Sequence, residues 1–119
     1  MADNRIQISQ EKNVQIMKLS LPEQVDGMEI DQIIDSLLRK LEGQAKQPWV
    51  MDLSDVTYMG SAMLGLMVNV RQRIGAAGGK LVLCNMSQGL SRIFQTCCLE
   101  RLFNIAKTRD EALGLAQTA

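Results

Sequence analysis

The side chains best suited to chemistry lie close together, in the stretch Asp52-Leu53-Ser54-Asp55-Val56-Thr57-Tyr58-Met59-Gly60-Ser61. Asp52 and Asp55 could form a metal-binding or acid-base pair. However, Asp52 has apolar neighbours and no third ligand is near in sequence, so a hydrogen-bonded structural carboxylate is the favoured reading. Ser61 directly precedes an apolar pattern of helical period, and two readings stand for it. Its hydroxyl could cap the helix by accepting a bond from a free backbone N–H. Alternatively it could carry a phosphate, which the unsatisfied N–H groups and positive dipole end of a helix start would tolerate. Two further negative charges there would transform any partner-binding surface centred on the loop.

Other chemistries are excluded by what the chain lacks. It contains no histidine, which removes the commonest general base, the Ser-His-Asp arrangement and most zinc and haem ligand sets. The stretch Gly75-Ala76-Ala77-Gly78-Gly79-Lys80 is not a phosphate-cradling loop, because it follows a helical pattern and precedes a strand pattern, the reverse of the required order. Cys84, Cys97 and Cys98 have no C-x-x-C spacing and lie in apolar surroundings. They read as reduced core thiols without a disulfide framework or zinc site, and the adjacent pair Cys97-Cys98 alone leaves redox chemistry open. No catalytic residues, metal or cofactor are expected, and the chain is read as a binding module rather than an enzyme.

Thirteen basic side chains balance thirteen acidic ones, and one Trp, one Tyr and two Phe offer no stacking platform. Nucleic acid is therefore not an expected partner. The residues Met1 to Arg5 carry no leader pattern, and no run approaches about eighteen apolar residues, so membrane insertion is not expected and the cytosol is the expected compartment.

The elements that must position the loop can be read from periodicity. Ile6 and Ile8, then Val14, Ile16 and Leu19, alternate around Gln10 to Asn13 and predict a β-hairpin. Ile30, Ile33, Ile34, Leu37, Leu38 and Leu41 form one stripe of an amphipathic helix starting at Asp26 or Gly27 and ending near Gly43. Trp49 to Leu53 reads as a buried strand opened by Pro48. Met63, Leu66, Met67, Val70 and Ile74 mark a second helix. Lys80 to Asn85 is a strand packed on both faces. Leu90, Ile93, Phe94 and Cys97 mark a third helix with Ser87 as its cap. Leu102 to Ala106 is a last short strand, and Thr108 to Glu111 is a capping box that opens a terminal helix through Ala112, Leu113, Leu115 and Ala116. The expected fold is α/β: a single domain over residues 1–119, with a four- to five-stranded mixed sheet, an N-terminal hairpin and about four helices. The helices are expected on one face or split between two layers.

Val50 to Leu66, with Asp52-Leu53-Ser54 ending a strand and Gly60-Ser61-Ala62-Met63-Leu64-Gly65-Leu66 opening a helix, resembles the central signature of STAS domains of the anti-sigma-factor-antagonist type. Gly78 to Asn85, the helix to Phe94, Leu99 to Phe103 and Thr108 to Ala112 are similar to that family's second half. The resemblance implies that an anti-sigma factor that is also a serine kinase binds the unphosphorylated domain and releases its sigma factor. Phosphorylation of the serine at the helix start, here Ser61, would reverse this, and a serine phosphatase would reset it. Tyr58, Met59, Gly60, Ser61, Ala62, Met63 and Leu64 become the expected partner-binding residues, with Asp52 and Ser54 as structural support. The chain departs from the signature at Gly60, where Asp is usual, at Ala62, where a second Ser is usual, and at Met63, where Gly is usual. The Gly-x-Leu-Asp stretch before the first helix is replaced by Leu21-Pro22-Glu23-Gln24-Val25-Asp26. The alternative within the family is a constitutive, unphosphorylated subunit of another complex, such as a lipid-transport assembly or a stress-sensing scaffold.

Overall fold

The computed structural model describes residues 5–21 and 26–117; the readings made on Met1 to Asn4 and on Pro22 to Val25 lie outside the described residues. The chain opens with strands β1 (Ile6–Glu11) and β2 (Val14–Ser20), antiparallel and in register from Ile6 opposite Leu19 to Glu11 opposite Val14. Lys12 and Asn13 form the two-residue connection, and both have positive φ, 52° and 65°. That is the signature of the type I′ turn, whose twist matches that of the strands it joins.

Three strand-helix-strand crossovers follow. They comprise α1 (Gly27–Leu41), β3 (Pro48–Asp55), α2 (Ser61–Ala76), β4 (Lys80–Cys84), α3 (Gln88–Thr96) and β5 (Asn104–Ala106), and α4 (Arg109–Gln117) ends the described chain. The sheet order is sequential, β1-β2-β3-β4-β5, and every pair after the hairpin is parallel. When successive crossovers have the same hand and the sheet grows in one direction, their helices fall on one face. α1, α2 and α3 accordingly share one core with Met17, Leu19, Trp49, Met51, Leu53, Leu81 and Leu83. α4 covers the other face, where Ala112, Leu113 and Ala116 meet Val14, Ile16, Val50, Val82 and Cys84. The result is three layers, the split arrangement of the two expected.

The expected stripes set the packing. All five α2 positions, Met63, Leu66, Met67, Val70 and Ile74, are buried, as are Ile33, Leu37 and Leu41 of α1. Asp26 caps α1 by accepting from the Glu29 N–H at 2.8 Å, and Ser87 caps α3 by accepting from the Leu90 N–H at 3.1 Å. Thr108 accepts from the Glu111 N–H at 3.2 Å at the start of α4. Trp49 is buried with its indole N–H donating to the Gln44 carbonyl at 2.9 Å, so its polar edge is satisfied inside the core. Gly79 is set by close approach, since a Cβ there would lie 2.3 Å from the Ala45 carbonyl oxygen and 2.7 Å from that of Gln47.

Two expectations are corrected. β5 is only Asn104–Ala106, and Leu102 is exposed on the approach to it. Cys97 and Cys98 are exposed rather than core thiols, because α3 ends at Thr96 and the chain turns outward through a positive φ of 58° at Cys98; Cys84 alone is buried.

Candidate functional site

The loop after β3, residues 56–60, is held by two apolar anchors. Val56 and Met59 are buried in the three-helix core, while Tyr58 between them is 57% exposed. The Val56 N–H donates to the Leu53 carbonyl at 3.0 Å, which turns the chain off the strand end. The loop delivers Gly60 in extended conformation as the N-cap of α2, with no side-chain cap bond and no acidic residue in the first turn. Ser61 is therefore the first helical residue, exposed, and not the cap that one sequence reading made it. α1, α3 and α4 all have a side-chain acceptor at their starts. The positive end of α2 faces out without one.

Ser61 lies on the rim of a groove of about 440 Å³ between the loop, the start of α2 and α3. One wall is formed by Tyr58, Met59, Gly60, Ser61 and Leu64, the other by Gly89, Arg92, Ile93, Thr96 and Cys97. Among the lining residues Arg92 is the only one that carries a charge at neutral pH, and most of the lining is apolar.

Two expected contact residues are corrected. Met59 and Met63 are 2% and 3% exposed and belong to the core. Met63 begins the same i, i+3, i+4, i+7 stripe that carries Leu66, Met67 and Val70, and that stripe faces the sheet. Tyr58, Ser61 and Ala62 stand exposed, and Gly60 and Leu64 are half-buried. The α3 wall was missed from sequence. Its signal was the strand and helix order, since sequential crossovers onto one face make α3 the neighbour of α2.

Asp52 lies on the other face of the sheet. Strand alternation puts it on the α4 side with Val50, and it is paired with Cys84 in the register. It is 3% exposed. Its Oδ1 accepts from the Ser54 N–H at 2.9 Å and from Asn85 Nδ2 at 3.2 Å, and its Oδ2 accepts from the Arg109 guanidinium at 2.7 Å. Burial pushes this carboxyl up, but the Ser54, Arg109 and Asn85 bonds outweigh it and hold its pKa below the usual value. Asp52 thus ties the ends of β3 and β4 to the start of α4. Ser54 contributes chiefly its backbone N–H while its side chain stays exposed. Asp55 goes elsewhere, accepting from Ser20 Oγ at 3.1 Å with Lys18 Nζ at 3.5 Å. The two aspartates therefore do not converge, and among the described residues no group of three or more His, Cys, Asp or Glu could hold a metal.

Comparison with known proteins agrees with this architecture. The STAS domain family matches residues 6–112. BtrV of Bordetella bronchiseptica, named among anti-sigma factor antagonists, is 29% identical over 70 residues, which are 59% of this chain and 60% of BtrV, so the match spans under two thirds of that relative's length. An anti-sigma-factor antagonist (STAS) domain protein from Planctomyces limnophilus superposes with a TM-score of 0.82 at 23% identity, covering 95% of this chain and 98% of its own. The anti-sigma factor antagonist SpoIIAA in its unphosphorylated form superposes at 0.72 with 19% identity, over 94% and 96% of the two chains. The phosphorylated form of SpoIIAA, a cell-fate determinant of Bacillus, superposes at 0.64 with 19% identity, over 94% and 99%. With a five-stranded mixed sheet, an opening hairpin, four helices and a family match over nearly its whole length, the chain belongs to the STAS domain family.

Proposed function

We propose that this chain is an anti-sigma-factor antagonist: a regulatory protein-binding module of the cytoplasm that acts by docking rather than catalysis. The observation that carries this reading is the position of Ser61, exposed just after the Gly60 N-cap at a start of α2 that has no side-chain cap bond, on the rim of a largely apolar groove. The occupant is an anti-sigma factor that is also a serine kinase. It docks over Tyr58, Gly60, Ser61, Ala62 and Leu64, and its apolar side chains fill the groove. Phosphorylation of Ser61 adds nearly two negative charges at the centre of that surface, and burying them against a partner carries a desolvation penalty of several kcal/mol unless new cations meet them. The helix itself is not disturbed, because the free N–H groups and dipole of α2 favour an anion there. The switch therefore acts on docking and leaves the fold alone, and a serine phosphatase restores the binding form.

Intact-mass analysis with fragmentation, on protein from its native cells, tests the modification. Binding of the co-purifying partner to Ser61→Asp and Ser61→Ala variants tests the switch. Ser61→Asp is expected to keep parental stability within about 0.5 kcal/mol and to weaken the complex at least about tenfold, with Ser61→Ala binding like the parent. Equal binding by all three proteins, with no phosphate under growth or stress, would leave the constitutive-subunit reading in its place.

A further inference from the structure

A second cleft, of about 550 Å³, opens at the other end of α2. It lies between the last turns of that helix, the start of β4 and the chain leading into β5, roughly 20 Å from Ser61 by the rise of the helix. Its lining carries three cations, Arg71, Lys80 and Arg101, and no carboxylate. In a chain whose formal net charge is zero, this is a local concentration of positive charge. Arg71 is held in place because its Nε donates to the Leu102 carbonyl. The outer nitrogens of its guanidinium have no other protein partner among the described residues, so the fork is fixed and faces the cleft with donors to offer. Arg101 likewise makes no side-chain bond among the described residues. Leu102 and Phe103 supply apolar surface beside these donors, and Asn104 supplies an amide whose nitrogen already donates to the Leu81 carbonyl.

The opposing field is that of α2, whose C-terminal carbonyls carry about half a negative charge near the cleft. The two guanidinium charges of Arg71 and Arg101 outweigh it. The helix end does not account for Arg71 either, because that side chain bonds the β5 approach instead of the last carbonyls of α2.

We infer that this cleft is a binding site for a small phosphate-bearing ligand, with Arg71 and Arg101 gripping the phosphate oxygens and the apolar wall receiving the remainder of the molecule. Planar guanidinium forks match phosphate geometry, and bonds between ionised partners are about twice as strong as neutral ones. The site is independent of the docking surface at Ser61 and would bind whether or not that serine is modified.

The test is a titration of the ¹⁵N-labelled chain with inorganic pyrophosphate, read by amide chemical shifts. Saturable shifts confined to residues 71–76, 79–81 and 101–104 are expected, weakening as ionic strength rises. Arg101→Gln, at an exposed position where folding is not at stake, is expected to weaken binding about tenfold, and Arg71→Gln by at least as much. The inference is overturned by failure to saturate at about ten times millimolar concentration, by shifts spread over surface lysines elsewhere, or by an Arg101→Gln variant that binds as the parent does. Stronger binding of an acidic peptide than of pyrophosphate at the same residues would overturn it in favour of a protein partner.

Discussion

Replacing Asp52 with alanine should be one of the most damaging single polar substitutions in this chain, and the size of the effect follows from its three bonds. The carboxylate is nearly inaccessible and accepts from the Ser54 N–H, Asn85 and Arg109. Removing one partner of a buried ion pair costs about 3–5 kcal/mol when the other charge is left buried. Here Arg109 is 37% exposed and can turn to water, which lowers the expectation for Asp52→Ala to about 2–4 kcal/mol. Arg109→Gln should lose about 1–2 kcal/mol, because Ser54 and Asn85 still hold the carboxylate. The double mutant should recover about 1–2 kcal/mol of coupling. Urea unfolding followed by circular dichroism reads all three, and the Asp52→Ala midpoint should fall by about 1–2 M. The sign with pH is fixed by the downward shift of the Asp52 pKa. A carboxyl with a folded-state pKa below its unfolded value contributes stability that is present above the unfolded value, about 3.9, and is lost as pH falls through the folded one. The stability gap between the parent and Asp52→Asn should therefore narrow as pH drops below about 4. A loss under about 0.5 kcal/mol for Asp52→Ala, or no coupling to Arg109, would refute the account of Asp52 as a structural lock.

Other outcomes follow from the same geometry. Gly79→Ala should destabilise by about 2 kcal/mol or more, seen as a lower urea midpoint, because the new methyl meets two backbone carbonyl oxygens that cannot move aside independently. Met63→Ala should cost about 2–4 kcal/mol, whereas Tyr58→Ala, at an exposed tip, should change stability by less than about 0.5 kcal/mol while weakening partner binding. In native protein a thiol reagent should label Cys97 and Cys98 quickly and leave Cys84 unlabelled until unfolding, since burial and the nearby Asp52 carboxylate push the Cys84 thiol up to about 12.

The site was legible in sequence to the extent that its chemistry is local. The order strand, loop, glycine, serine, apolar stripe placed Ser61 at a helix start, because a change of period from two to 3.6 marks that junction wherever the chain goes next. Which loop residues are exposed was not local. Met59 and Met63 look as available in sequence as Tyr58 and Leu64, and only the direction of the α2 stripe and the inward turn of the loop bury them. Gly60 could also be recognised in sequence as a departure from the family signature, but its consequence needed the dihedral angles, which made it and not Ser61 the cap.

By itself the sequence determined the type and order of the elements, the cores of α1 and α2, the start of α1 to within one residue, the caps at Ser87 and Thr108, and the placement of Ser61 at a helix start. These follow from spacing, capping chemistry and turn residues, each acting over a few neighbours. The tertiary structure alone decided that α4 crosses to the opposite face, that Asp52 is locked to Arg109 fifty-seven residues away, and that α3 forms the far wall of the Ser61 groove. These contacts join residues whose separation along the chain carries no periodic signal. They arise only when parallel strands bring distant ends to one edge of the sheet and the apolar faces of the helices choose a side.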